Sequence, residues 1–307
     1  MGKGQIESLN GRKLHNLGFM GQGMTIAVLD AGFMNVDKIA AFRNLNIKGT
    51  HNFVAGYDND VYKEMDHGTK TLSTIAMNQP TVFVGTAPKA DFWLLRTEDY
   101  STESPAEEDF WIAAVEFSDS VGVDIISSSL GYHGFDDISM NYRYSDLNGR
   151  TAAISQAASR LASKGIILVN SAGNDGMGTW KKINVPADAH DILTVGAVSL
   201  DKVNAPFSSI GPTADGRIKP DVMAYGCPTN VVSGRGYIIP DNGTSFACPL
   251  IAGMVACLWQ ACPNKSAKEI LDIVRQSGNN CQSPDNIMGY GIPDFWSAYQ
   301  SATRYNQ

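Results

Sequence analysis

The chain has 307 residues, 43% of them hydrophobic and 18% charged, which is enough to bury a large core in one α/β domain, and no low-complexity tract suggests disorder. A formal charge of −7 argues against binding a phosphate backbone, which takes a concentrated basic surface. No stretch reads as 18 consecutive apolar residues, so no membrane span is expected, and the opening MGKGQIESLNGRK lacks the apolar core of a secretory leader.

Apolar runs alternate with segments whose apolar residues fall three and four apart, the pattern of βαβ units around a mostly parallel sheet with helices on both faces. In chain order the pattern predicts a strand at 24–29, a helix at 67–77, a strand at 90–95, a helix at 106–120 and a strand at 123–127. A stretch rich in Tyr, Asp, Gly and Asn, 131–148, reads as a surface loop. A helix at 151–163 and strands at 166–170 and 192–198 follow, then a long apolar helix at 245–261. A last helix spans 266–276, with Ser266 as N-cap and Glu269 completing a capping box. No repeat or linker interrupts the series, so the expectation is one domain over 1–307, with a core at about 23–294, an N-terminal arm at 1–22 and a C-terminal tail at 295–307.

Five cysteines, Cys227, Cys248, Cys257, Cys262 and Cys281, fall in the last third at no zinc-binding spacing. A Cys262–Cys281 bridge and a set of small buried thiols are equally open readings.

In α/β sheets binding groups gather beyond the carboxyl ends of the strands, which draws attention to Asp30, Ser129 and Asn174. Asp30 ends an apolar run, in Ile26-Ala27-Val28-Leu29-Asp30-Ala31-Gly32, where a carboxylate needs hydrogen-bond donors to be tolerated. His67, in Asp66-His67-Gly68-Thr69, opens a helix and is placed to act as a general base, with Gly68 leaving room beside it. Ser245, in Asn242-Gly243-Thr244-Ser245-Phe246-Ala247-Cys248-Pro249, starts the long apolar helix, so its own N–H points at whatever its hydroxyl attacks. Asn174, in Ser171-Ala172-Gly173-Asn174, carries an amide that can donate to an oxyanion, as a carboxylate cannot. Taken singly, each has an ordinary reading: turn residue, surface histidine, helix N-cap, turn.

Taken together, Val28-Leu29-Asp30-Ala31-Gly32, His67-Gly68-Thr69, Ser129-Leu130-Gly131, Ser171-Ala172-Gly173-Asn174 and Gly243-Thr244-Ser245-Phe246-Ala247-Cys248-Pro249 resemble the five signature blocks of the subtilisin family, in that family's order Asp, His, Ser. The resemblance runs from about 23 to 294 and includes Phe207-Ser208-Ser209-Ile210-Gly211-Pro212 and Lys219-Pro220-Asp221-Val222. It implies a three-layer subtilisin-like fold and a serine endopeptidase in which Ser245 attacks, His67 relays the proton, Asp30 orients His67, and Asn174 joins the Ser245 N–H in an oxyanion hole. It also implies that Ser127, Ser128, Ser129, Leu130 and Gly131 pair with an extended substrate, and that Gly131, Ala172 and Gly173 wall the pocket for the residue before the cut. The partners implied are protein or peptide substrates and an inhibitory pro-segment, which this sequence does not display. A monomer that is secreted, at the cell surface or periplasmic, and binds no nucleic acid, completes the expectation.

The chemistry needs no cofactor. A structural calcium is compatible with the family, but residues 75–85, where many subtilisins carry a calcium loop, offer no carboxylate, and Asp58-Asn59-Asp60 reads as a solvated loop, so no metal ligand is assigned. The carboxylates of 97–109 would favour basic side chains upstream of the cut if they face the cleft, although Glu107 and Glu108 also suit a helix N-terminus, which is the stronger reading. Cys248 reads as a helix-interior thiol. Two other functions compete: a catalytically silent relative that binds peptides, and an esterase, whose Gly-x-Ser-x-Gly motif and Ser-first order are absent here.

Overall fold

Strand β1 (Thr25–Asp30) is apolar from Ile26 to Leu29, and its pleat sends Ile26 and Val28 into one hydrophobic layer and Ala27 and Leu29 into another on the opposite face. A strand buried on both sides belongs inside a sheet, and the computed structural model, which describes residues 3–304, places it there. The other strands are β2 (Asn46–Asn52), the short β3 (Asn78–Gln79) and β4 (Phe83–Val84), β5 (Asp91–Arg96), β6 (Ile125–Ser128), β7 (Ile167–Ser171), β8 (Leu193–Ser199), β9 (Val222–Cys227), β10 (Thr229–Val232) and β11 (Ile238–Asp241). Seven of them form one parallel sheet in the order β2-β5-β1-β6-β7-β8-β9; β3-β4 and β10-β11 are antiparallel pairs.

The helices are α1 (Lys3–Ser8), α2 (Arg12–Asn16), α3 (His67–Ala76), α4 (Ala106–Ser120), α5 (Ala153–Ala158), α6 (Thr244–Ala261), α7 (Ala267–Gln276) and α8 (Phe295–Arg304). Residues of α3, α6, α7 and α8 share the layer of Ile26 and Val28, and residues of α4 and α5 share the layer of Ala27 and Leu29. The α/β fold class is thus realised as three layers. The chain leaves β1 for β2 and β5 on one side and then crosses to β6 and beyond on the other, so a topological switch lies at the carboxyl end of β1, beside β6.

Most predicted elements shift by only a residue. The helix expected at 151–163 is α5 followed by a 3₁₀ turn, Leu161–Lys164, stopped by left-handed Gly165 (φ 85°). The supposed surface loop at 131–148 buries Tyr132 and Leu147 and contains two 3₁₀ turns, Ile138–Met140 and Tyr144–Asp146. The arm and the tail are anchored to the core: Leu9, Leu14 and Phe295 are fully buried, and the Phe295 N–H donates to the Leu9 carbonyl at 2.9 Å.

Helix α6 is, by length and composition, apolar enough to cross a membrane, because its aliphatic residues, alanines and cysteines raise the average although Thr, Ser, Pro, Gly and Gln interrupt the apolar run. It is instead the central core helix, buried from Thr244 to Leu258. All five cysteines are free: Cys262 is buried below α6 and no bridge joins it to Cys281.

Candidate active site

Asp30 ends β1 fully buried, and its carboxylate is held by three donors: the Ala31 N–H to Oδ1 (2.8 Å), the Thr71 hydroxyl to Oδ2 (2.9 Å), and His67 Nδ1 to Oδ1 (2.7 Å). Such a network is what makes a buried carboxylate affordable. His67 is the first residue of α3, and the helix can sit this close because position 68 is glycine: any side chain there would run into the Gly32 carbonyl. Burial pushes the imidazole towards its neutral form, but the charge and hydrogen bond of Asp30 outweigh this, so its pKa lies above the ordinary 6.5. Thr71, one helical turn beyond His67, was not singled out in the sequence; its spacing of four from His67 was the available signal.

Ser245 is the second residue of α6, whose N-cap position is Gly243 rather than Ser245 itself. Four residues on, Pro249 has no N–H to give the Ser245 carbonyl. The Ser129 hydroxyl takes over at 2.8 Å, tying the segment after β6 to the start of α6. The Ser245 hydroxyl itself donates to the Ser129 carbonyl at 3.4 Å in this structure. The His67 ring lies 5.7 Å, centroid to centroid, from that of Phe246, the next residue of α6.

Asn174 follows β7. Its Oδ1 accepts from the Thr244 N–H (2.9 Å) and hydroxyl (3.1 Å), which leaves the Nδ2 end as a donor. Thr244, also missed in the sequence, thus fixes the amide by both of its polar groups. His67, Asn174 and Ser245 line one cavity of about 540 Å³, together with Ser129, Leu130, Gly131, Ser171 and Gly173. The remaining residues expected to contact substrate lie elsewhere. Ser127 and Ser128 are sealed inside the sheet, because β6 pairs with β1 on one edge and β7 on the other, and Ala172 is fully buried between Ser171 and Gly173.

The carboxylates of the 97–109 segment do face this cavity: Glu98, Asp99, Glu103 and Glu107 line it, together with Asp136, which accepts from the Thr102 hydroxyl and the Glu103 N–H (3.0 and 3.1 Å). Glu107 also serves the helix start, as its two oxygens accept from the Asp99 and Ser104 N–H groups (2.9 and 3.0 Å). Glu108 points away from the cleft to Tyr142. Glu98 accepts from the Thr97 and Tyr132 hydroxyls (2.8 and 2.7 Å), yet burial pushes its pKa up to about 8, and burial with neighbouring Glu107 and Asp136 lifts Glu103 to about 7. Burial pushes the Cys248 thiol up to about 12, so it stays protonated inside α6. Among the described residues no group of His, Cys, Asp and Glu is arranged to hold a metal ion, and Asp58 and Asp60 both pair with Lys63 (2.7 and 3.4 Å).

Comparison with known proteins gives a consistent picture. Residues 21–291 match the family model described as Peptidase_S8, subtilase family. Subtilisin NAT of Bacillus subtilis subsp. natto is 29% identical over 269 residues, 87% of this chain, and this chain spans only 63% of that relative's length. Subtilisin Savinase of Lederbergia lenta is 28% identical over 280 residues, 91% of each chain. Among solved structures, MycP1 from Mycobacterium smegmatis superposes with a TM-score of 0.74 at 21% identity over 96% of this chain and 83% of that one. The self-cleaved protease domain of PatA gives 0.73 at 21% identity over 92% and 97%. At that identity the structural likeness speaks for the fold.

Proposed function

Because the chain belongs to the subtilase family, we propose that it is a serine endopeptidase in which Asp30, His67 and Ser245 form the triad. The observation that carries the reading is the buried Asp30–His67 pair, at 2.7 Å, opening into the same cavity as Ser245 and Asn174. A bound peptide would lie along Ser129–Gly131. The Ser245 hydroxyl would turn from the Ser129 carbonyl to His67 Nε2, give up its proton and attack the scissile carbonyl. The resulting oxyanion would be met by Asn174 Nδ2 and the Ser245 N–H at the start of α6. His67, now charged and paired with Asp30, would pass the proton to the leaving amine, and water would release the acyl group by the reverse path. None of these steps calls on a cofactor.

The substrates are proteins or peptides, and the carboxylates lining one side of the cavity favour cationic side chains upstream of the cut. Secretion, control by a pro-segment and a monomeric state are proposed with the family. A fluorophosphonate probe should label the folded protein at Ser245 and leave Ser245→Ala unlabelled, and casein should be cut by the first and not the second. Folded protein that neither reacts nor cuts would favour a silent peptide-binding relative. Asn174→Ala should retain labelling but lose roughly a hundred- to a thousandfold in turnover.

A further inference from the structure

Asp66 stands at the N-cap of α3, where an aspartate usually accepts from the first turn of its own helix, yet its side chain accepts nothing there. Its Oδ2 accepts instead from the Gly234 N–H at 3.0 Å, in the turn between β10 and β11. A methyl group built on Gly234 would come within 2.7 Å of Asp66 Cβ, so the two segments touch at this point. The other oxygen, Oδ1, lies 3.4 Å from Lys70 Nζ, and the same ammonium lies 3.1 Å from Asp241 Oδ2.

Lys70 thus joins two stretches that carry the chemistry. It lies one helical turn beyond His67 on α3, and Asp241 ends β11 with only Asn242, Gly243 and Thr244 before Ser245. Asp241 Oδ1 accepts from the Asn242 N–H at 2.8 Å, which shapes the chain as it enters α6. The Lys70 side chain is only 20% exposed, so water screens the bridge less than it would on an open surface. Burial works against its charge, but Asp241 and Asp66 outweigh this and hold its pKa above the usual 10.5. The hairpin has a second tie to the helix, since the Val232 N–H donates to the Ser73 hydroxyl at 2.9 Å, and its docking does not hang on Lys70 alone.

Carboxylates dominate the charge around the imidazole. Asp30 of β1 binds Nδ1, Asp241 comes from β11, and Asp66 and Lys70 come from α3 itself. Helix α6 presents the neutral Ser245 and Phe246, and the shared cavity adds Tyr100 and the carboxylates of Glu98, Asp99, Glu103, Glu107, Asp136 and Asp175. Lys70 is the one cation among these described residues. Beyond the effects of burial and Asp30, Lys70 loosens the imidazole's hold on its proton and Asp241 tightens it.

We propose that Lys70 is a positioning residue for the triad: by bridging Asp66 and Asp241 it holds the start of α3 against the entry to α6, and it offsets the Asp241 charge beside His67. This deepens the proposed function and rests on it for the roles of His67 and Ser245. The test combines steady-state kinetics on one peptide substrate with an NMR titration of the His67 ring in the full chain carrying Ser245→Ala. Lys70→Met, which keeps most of the stem and removes the charge, should lower kcat about tenfold and leave KM within twofold. Lys70→Arg should recover most of that loss. Asp241→Asn should cost a similar factor, and the double variant no more than the worse single one, because one bridge is broken only once. The His67 midpoint should rise in Lys70→Met and fall in Asp241→Asn.

An unchanged kcat in Lys70→Met, losses that multiply in the double variant, or an Arg variant no better than Met would overturn the assignment. So would His67 midpoints that stay put or move the same way. Should Lys70→Met not fold, Asp241→Asn and Lys70→Arg read the same bridge from its other end and with its charge kept. A wild type that cuts no peptide would sink the hydrolase reading, and the two opposite His67 shifts, which need no cleavage, would then decide by themselves whether Lys70 and Asp241 act on this imidazole.

Discussion

The Ser245 carbonyl shows how a single residue's missing hydrogen links two parts of the site. Pro249 withdraws the N–H that would normally satisfy that carbonyl, and Ser129, from the segment after β6, replaces it. Ser129→Ala should therefore lower kcat/KM by about tenfold, the worth of roughly one buried hydrogen bond. Adding Pro249→Ala, which restores a backbone donor inside the helix, should recover part of the loss. Steady-state kinetics on the two single variants and the double variant would check this, and purely additive losses would show that the contact does not position the nucleophile. Asp30 and Asn174 work on the same plan, since each is held by a threonine, Thr71 or Thr244, whose role is invisible until the fold brings it near.

Among the elements, the segment between β5 and α4 carries the most electrostatic tension. Glu98 is buried beside Glu103 and Glu107, with the Tyr132 and Thr97 hydroxyls as its donors, and its folded pKa of about 8 stands well above the ordinary 4.5. The folded state thus holds this proton more tightly than the unfolded chain does. Stability from this group is fully present below about pH 4.5 and is lost as pH rises through about 8. Thermal melts from pH 5 to 9 should fall on the alkaline side, and Glu98→Gln, which keeps an acceptor for Tyr132, should flatten the curve by up to about 4 kcal/mol at the high end. A parallel decline in the variant would place the alkaline loss elsewhere. Legibility varied in the same way among the elements. Strands β1, β5, β6, β7 and β8, buried on both faces, announced themselves as apolar runs. Edge strand β2, with the polar sequence Asn-Ile-Lys-Gly-Thr-His-Asn, did not, because one row of its side chains meets solvent.

For the molecule as a whole, the net charge of −7 is less informative than its placement, with six carboxylates, those of Glu98, Asp99, Glu103, Glu107, Asp136 and Asp175, lining the candidate cavity. Peptides bearing Lys or Arg upstream of the cut should be cleaved severalfold faster than neutral ones at low ionic strength. The advantage should grow from pH 6 to pH 8 as Glu103 ionises through about 7, and shrink when salt screens the cleft. Cleavage rates of matched peptides at low and high salt would show this, and a preference untouched by salt and pH would count against it.

The sequence by itself determined the α/β class and the order of the main elements and singled out Asp30, His67, Asn174 and Ser245 as candidates, because short motifs at strand ends and helix starts depend on neighbours along the chain. Only the tertiary structure decided that Ser127, Ser128 and Ala172 are sealed away from the cleft, that the acidic segment opens onto it, and that Thr71, Thr244 and Asn184 belong to it. Those facts turn on which strand pairs with which and on what packs across a gap of many residues. Burial and electrostatics act through space, and a linear pattern records them only where distance along the chain and distance in the fold coincide.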